Sequence, residues 1–233
     1  HTFNWLATAS FSIEYWIKID TGAPLVDNDV AVGRNDTFTG AFWFIGVAPT
    51  GLATFQLNDS SGGTTVGASG TIDVANGTWH HVVAVRDDSI DTNRLYVDGI
   101  LQGSDVIDYT GDGFSSTSAA LNIAWIDFGD GFRLLGLLDE IALYDRALPQ
   151  NEIQQHFNSG QDYCLGSDPP SFVPFPDDTI SLWRLDEPTP GTPNGTYVDS
   201  FDGNDGTGDS NPTAASGTVK GDQQFDGANN EIN

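Results

Sequence analysis

Methionine is absent from this chain, and cysteine occurs once, at Cys164. A lone thiol cannot close an internal disulfide, so the fold has to be held by packing alone, and Cys164 is expected to be an idle thiol rather than a bridge between subunits. With no Met at position 1 or anywhere else, the sequence is expected to be a processed or excised stretch in which no signal peptide remains to be read. Basic residues are scarce as well: 8 Lys plus Arg stand against 33 Asp plus Glu, a formal charge of −25. That imbalance repels phosphate backbones and anionic lipid, which excludes nucleic acid as an expected partner and leaves divalent cations as the expected small ones. Long apolar runs are missing too. The most apolar stretch, AFWFIGVA at 41–48, falls far short of the roughly 20 residues that a membrane-crossing helix needs, so no membrane insertion is expected.

What the chain does contain is aromatic and alternating. Its 233 residues include 14 Phe, 6 Trp and 6 Tyr and are 38% hydrophobic, enough for the core of one large all-β domain. From Phe11, the side chains of Phe11, Ile13, Tyr15, Ile17 and Ile19 point one way and Ser12, Glu14, Trp16, Lys18 and Asp20 the other, the period-two pattern of a half-buried strand. Trp79, His81, Val83 and Val85 repeat the pattern. Asp98-Gly99 between RLYV and ILQG predicts a two-residue hairpin turn, because both residues tolerate positive φ. Apolar segments at 42–47, 52–57, 121–126 and 134–144 supply further strands for two packed antiparallel sheets. Only PQNEIQQHF, residues 149–157, looks helical: Pro149 suits a first turn, Ile153 and Phe157 share a face, and Gly160 is expected to stop the helix.

After Gly160 the texture changes. Residues 161–177 carry four prolines and no alternation, which reads as a semi-rigid linker. At about 3.1 Å per residue an extended stretch of that length reaches roughly 50 Å, enough to cross a domain. Residues 178–233 follow, and their end, FDGANNEIN, reads directly into the start of the chain, HTFNWLATASFSIEYWIKI. The segments FDGANNEI, ASFSIEYWIKI, TWHHVVAVRD, RLYVDGILQGS and LLGLLDEIALYDRALPQNEIQQHF resemble the successive signatures of laminin-G-like, concanavalin-A-type jelly-roll domains. In that family a segment like ISLWRLDE, here 180–187, comes first. The resemblance implies an all-β, antiparallel two-sheet jelly-roll sandwich with one short helix and its motif order rotated. Residues 1–160 resemble the main body and residues 178–233 the opening strands, which complete either their own body or a neighbouring one. In the second case Trp183, Leu185, Phe225 and Ile232 would enter the recipient core, as in donor-strand complementation, and a body left without them would expose unpaired edges.

Chemistry-bearing patterns are few. No nucleophile elbow, paired metal-type histidines, phosphate loop or spaced trio of carboxylates is present in the sequence, so no enzymatic activity is expected. His1, His80, His81 and His156 share no evident site. The acidic loop VDSFDGNDGTGD at 198–209 is the candidate Ca²⁺ site. Asp199, Asp202, Asn204, Asp205 and Asp209 offer hard oxygens between glycines that let carbonyls turn inward. By resemblance to similar modules, Asp186, Glu187, Asp139 and Glu140 are additional candidate ligands. Sequons at Asn35, Asn58, Asn76 and Asn194 suit an extracellular or cell-surface location, although an acidic surface also suits salt water. The family resemblance implies sugar binding as well, with Trp5, Trp43 or Trp125 as stacking candidates against a core role. Two functions are therefore carried forward: a non-catalytic extracellular repeat forming a linear assembly with copies of itself, and a Ca²⁺-dependent glycan-binding module.

Overall fold

The computed structural model describes residues 3–60, 69–128, 131–164, 178–187, 195–209, 212–215 and 222–233. Alternation dictates most of what they form. In the body the strands are β1 (Phe11–Lys18), β2 (Asp29–Asn35), β3 (Phe42–Val47), β4 (Leu52–Asn58), β5 (Ser69–Asp73), β6 (His80–Asp87), β7 (Thr92–Val97), β8 (Ile100–Val106), β9 (Leu121–Ile123) and β10 (Leu135–Tyr144). Helix α1 (Gln150–Cys164) follows, and then β11 (Thr179–Trp183), β12 (Thr196–Tyr197), β13 (Gly206–Asp209), β14 (Thr213–Ala215), β15 (Asp222–Asp226) and β16 (Glu231–Ile232). Among the described residues they build two antiparallel sheets of eight strands. The first runs β14-β15-β10-β1-β6-β7-β8 with β11 also on β10, and the second runs β12-β13-β16-β9-β2-β3-β4-β5. The jelly-roll sandwich with one helix is therefore what the chain adopts.

The two inner faces meet as the period-two pattern requires. Phe11, Ile13, Tyr15, Ile17 and Ile19 of the first sheet pack with Trp43, Ile45, Val47, Phe55 and Leu57 of the second. The Asp98-Gly99 turn forms as expected, with φ of 53° and 74°. β1 departs from the half-buried pattern: Ser12, Glu14 and Trp16, on its other face, are buried too. The reason is α1, whose Ile153 joins Val83, Val85, Tyr144 and Leu182 in a second apolar cluster over the outside of the sheet. Gly160 does not stop this helix, which continues to Cys164. Its lack of a side chain serves close packing instead, since a Cβ there would lie 2.2 Å from Cζ2 of Trp16.

The described strands of the C-terminal segment seat on the body of their own chain. The edge of β10 away from β1 is shared out: Ile141–Tyr144 pair with β11, and Leu135–Leu138 pair with β15. Between the two stands Glu140, whose φ of 47° is unusual for a non-glycine residue. In the second sheet β16 joins β9. Trp183, Leu185, Phe225 and Ile232, the residues expected to complete either their own body or a neighbouring one, enter the core of the same chain. The physical reason is that β10, with ten residues, presents an edge long enough for both strands. Of the linker expected at 161–177, residues 161–164 belong to α1 and 165–177 lie outside the described residues.

Beneath α1 lies a buried polar cluster that the four separate histidines do not reveal in the sequence. Glu14 of β1 accepts the Tyr144 hydroxyl hydrogen bond and meets His156 Nδ1 of α1 at 3.0 Å from either carboxylate oxygen. His81 Nε2 of β6 approaches it at 3.3 Å. Arg146 and Glu152 flank the cluster as an ion pair at 2.6 Å, with Asp178 on the same guanidinium. Burial alone would raise the Glu14 pKa, but His156 and His81 overcome it and hold the carboxyl well below its ordinary 4.5. Burial likewise opposes a charged His156, yet Glu14 raises its pKa above the ordinary 6.5.

The pH dependence follows from these directions. Stability drawn from His156 is complete below its unfolded value and is lost as pH rises through the raised folded one. Stability drawn from Glu14 is complete above its unfolded value and is lost as pH falls through the depressed folded one. The cluster therefore contributes most between the two ordinary values, 4.5 and 6.5. Urea unfolding across pH should place the stability maximum in that window, with a decline above it. Glu14→Ala should cost about 3–5 kcal/mol there, the range for breaking a buried pair. A flat profile through neutral pH, unchanged in His156→Gln, would show that the cluster is not ionised as described.

Candidate functional site

The acidic loop expected to hold Ca²⁺ is organised around one carboxylate. Asp199, 6% exposed, bridges to Trp183 of β11. Its Oδ1 accepts the N–H groups of Leu182 and Phe201, both at 2.9 Å, and its Oδ2 accepts the N–H (3.1 Å) and the side-chain amide (3.2 Å) of Asn204. Burial pushes its pKa up, but those N–H donors and the Ser181 hydroxyl outweigh burial and hold it below the ordinary value. Asp205 Oδ1 accepts the Asp199 N–H, and the Asn204 carbonyl accepts the Trp183 indole N–H. Asp199, Asn204 and Asp205 thus come together, while Asp202 and Asp209 are exposed.

Of the remaining expected ligands, Glu187 touches the start of the loop, and Asp139 and Glu140 belong to β10. Asp139 is fully buried in β10, opposite Trp16. Glu140 pairs with Arg184 at 3.3 Å. Glu187 accepts the Val198 N–H, and burial, reinforced by Asp186 beside it, raises its pKa. Four hydrogen bonds that shape the loop end on the Asp199 carboxylate, so a cation bound there would compete with them. Among the described residues no group of three or more His, Cys, Asp or Glu side chains could hold a metal ion.

The aromatic stacking candidates are likewise redistributed. Trp5 lies in the core, stacked on Phe11 at 3.9 Å, and Trp43 is fully buried. Trp125 is half-buried under the Arg133 guanidinium, 4.8 Å from its ring centroid. Solvent-facing rings occur instead on the outer face of the second sheet, and they are phenylalanines. Since Trp43 and Ile45 point into the core, Phe42 and Phe44 point out. Phe42 sits between Asn35 of β2 and Asn58 of β4, and Phe44 between Gly33 and Gln56. The 125–132 loop lays Phe128 across them, with ring centroids 4.8 Å from Phe42 and 6.2 Å from Phe44, and Phe132 lies 5.3 Å beyond.

Gly33 makes this arrangement possible, because a Cβ there would fall 2.9 Å from Cβ of Phe44 and 3.0 Å from a methyl of Ile126. Phe44 is covered at 1% exposure, whereas Phe128 is 37% exposed. The amides frame the rings. Asn58 donates to the Gly40 carbonyl at 2.7 Å, and its Oδ1 has no hydrogen-bond partner among the described residues. Asn35 donates to the Asp127 carbonyl. Two of the four sequon asparagines therefore belong to this face. Asn76 is exposed, with Oδ1 accepting from Thr78, and Asn194 lies outside the described residues. The signal in the sequence was the 42–45 segment itself: aromatic and apolar residues on both phases of an alternating strand mean that its outer face is not simply solvated.

One comparison of structure and two of sequence set this fold among known proteins. The binding domain of Paraclostridial Mosquitocidal Protein 1 is similar with a TM-score of 0.54 at 16% identity, covering 93% of this chain and 52% of that one. The Ruminococcus gnavus IT-sialidase CBM40 bound to α2,3-sialyllactose is similar with a TM-score of 0.53 at 12% identity, covering 67% and 85%. A Bacteroides ovatus protein reaches 0.54 at 19% identity, covering 96% and 53%. The chain thus spans about half the length of two of these proteins, and at such identities the likeness is one of fold. Among curated proteins none matches the sequence.

For the acidic loop, Asp199→Ala should lower stability by about 2 kcal/mol, the cost of leaving buried donors unsatisfied, equally with Ca²⁺ and with EDTA. Asp202→Ala should stay within about 0.5 kcal/mol of the parent. Thermal melts decide it, and a loss for Asp199→Ala seen only with Ca²⁺ present would make that carboxylate a metal ligand. For the fold as a whole, the family model described as the concanavalin A-like lectin/glucanases superfamily matches residues 1–154, and the chain belongs to that superfamily.

Proposed function

We propose that this chain is a non-catalytic glycan-binding domain that engages sugar through the outer face of its second sheet. One observation carries the reading: Phe42, Phe128 and Phe132 form a contiguous aromatic surface over the buried Phe44, framed by Asn35, Asn58 and Gln56. Helix α1 covers the outer face of the first sheet over β6, β10 and β11, and the aromatic face lies on the other sheet. Phenyl rings offer a pyranose its complement for stacking C–H groups, and side-chain amides can both donate to and accept from hydroxyls. The fold and its superfamily support a binding role, and a glycan-binding domain acts where glycans are displayed, outside the cell or at its surface.

A second reading, linear assembly through residues 178–233, draws on the pairings that those strands make with β10 and β9, which another copy of the chain would offer equally. Light scattering across concentration separates it from the first: an exchanging chain grows in size, and a glycan-binding monomer does not.

For the glycan reading, titration calorimetry against an oligosaccharide panel should find saturable binding. Phe128→Ala should weaken it roughly tenfold, the loss expected of a central contact worth about 1.4 kcal/mol. Because Phe128 is 37% exposed, the substitution should leave the melting temperature close to that of the parent. Saturable binding that ignores both Phe42→Ala and Phe128→Ala would put the site elsewhere.

A further inference from the structure

We infer that the aromatic face selects uncharged glycans and discriminates against sialylated, sulfated or uronic ones; the inference rests on the glycan reading of that face. Recognition of an anionic sugar calls for a guanidinium or ammonium group free to meet a carboxylate or sulfate. Every basic residue that the structure describes near this face is engaged elsewhere. Arg34, next to Asn35 in the chain, turns inward and donates to the carbonyls of Phe3, Ser116 and Ala119 and to Asn4 Oδ1, all within 3.0 Å. It is 6% exposed. Arg133, next to Phe132, stacks over Trp125 and pairs with the buried Glu231.

The other arginines are likewise paired with carboxylates: Arg86 with Asp88 and Asp91, Arg94 with Asp87, Arg146 with Glu152, and Arg184 with Glu140. Lys18 belongs to β1 of the first sheet, and Lys220 lies outside the described residues.

Negative charge, by contrast, accompanies the face. One carboxylate adjoins its exposed ring: Asp127 precedes Phe128, whereas Asp36 and Asp59, beside Asn35 and Asn58, are buried and accept the backbone N–H groups of Phe38, Thr39 and Thr110. Adjacent Cα atoms are about 3.8 Å apart, well inside the screening length of about 8 Å at physiological ionic strength. Asp127 is exposed, and its carbonyl holds the Asn35 amide. The total charge of −25 adds the same sign at longer range. An anionic ligand would therefore lose its hydration to meet rings, amides and like charge, whereas a neutral pyranose meets the rings and amides without that penalty. The anionic sialyllactose bound to the Ruminococcus gnavus module does not carry over, since 12% identity transmits the fold and not its surface charges.

Matched pairs of ligands test this on the intact chain: lactose against sialyllactose, and neutral glucan oligosaccharides against uronate oligomers of equal length, by calorimetry at about 10 mM and about 150 mM salt. A neutral ligand that binds with Phe128 dependence, its anionic counterpart roughly tenfold or more weaker at low salt, and a gap that narrows with added salt and in Asp127→Asn are the expected results. Anionic ligands that bind as well or better, and lose binding in Phe128→Ala, would overturn the charge selection while leaving the aromatic site in place. If no glycan binds, or if binding is indifferent to the phenylalanines, the site itself falls and the selection with it.

Discussion

Every strand of a sheet must satisfy the backbone groups on both its edges, and in this molecule that constraint converges on β10. One edge pairs with β1 along nearly its full length. The other is divided, its second half closing on β11 and its first half on β15. The strand that ends the main body is thereby the strand that receives the C-terminal segment, and without that segment one side of it would be an open template of N–H and C=O groups. Trp183, Leu185 and Phe225 enter the core because the pairings of their strands put them there. The left-handed Glu140 marks the joint, where the edge passes from one partner to the next and the local backbone yields to the register on both sides.

Much of this was legible in the sequence wherever local pattern and tertiary burial agree. The alternation from Phe11 to Ile19 located β1 and its core face, Asp98-Gly99 located a hairpin, and the rotated motifs pointed to the superfamily. Legibility failed where a second element supplied the burial. Glu14 and Trp16 look like solvent positions because they alternate with core residues, and only the overlying helix buries them. Gly160 carries the usual signature of a helix end, yet it lies inside the helix because Trp16 occupies the space that a side chain would need. The histidines follow the same logic. His81 and His156 are far apart in the chain, and their meeting at Glu14 depends on how α1 crosses the sheet.

The candidate site residues divide in a similar way. Aspartates spaced by glycines offer hard oxygens, but the same spacing also suits a carboxylate that gathers N–H groups and closes a tight loop, as Asp199 does. Composition cannot separate these uses, because both need short acidic side chains on a pliable backbone. The phenylalanine surface was hidden for the opposite reason. Its residues come from β3 and from a loop more than eighty positions later, and an aromatic residue in a strand is more often core than surface. What distinguishes Phe42 and Phe44 is phase: with Trp43 and Ile45 committed to the interior, they have only the outside left.

Helix α1 does more than bury one side of the first sheet. By covering that side, it makes the sandwich a plate with a front and a back. Such a plate attached to a surface can engage only when turned toward its ligand. Copies strung on one chain would add to one another's affinity only if their connections let the fronts face the same way. Under the proposed glycan reading, the helix bears on avidity without touching any ligand: it disfavours binding from behind, and it leaves orientation as the variable on which multivalent attachment turns.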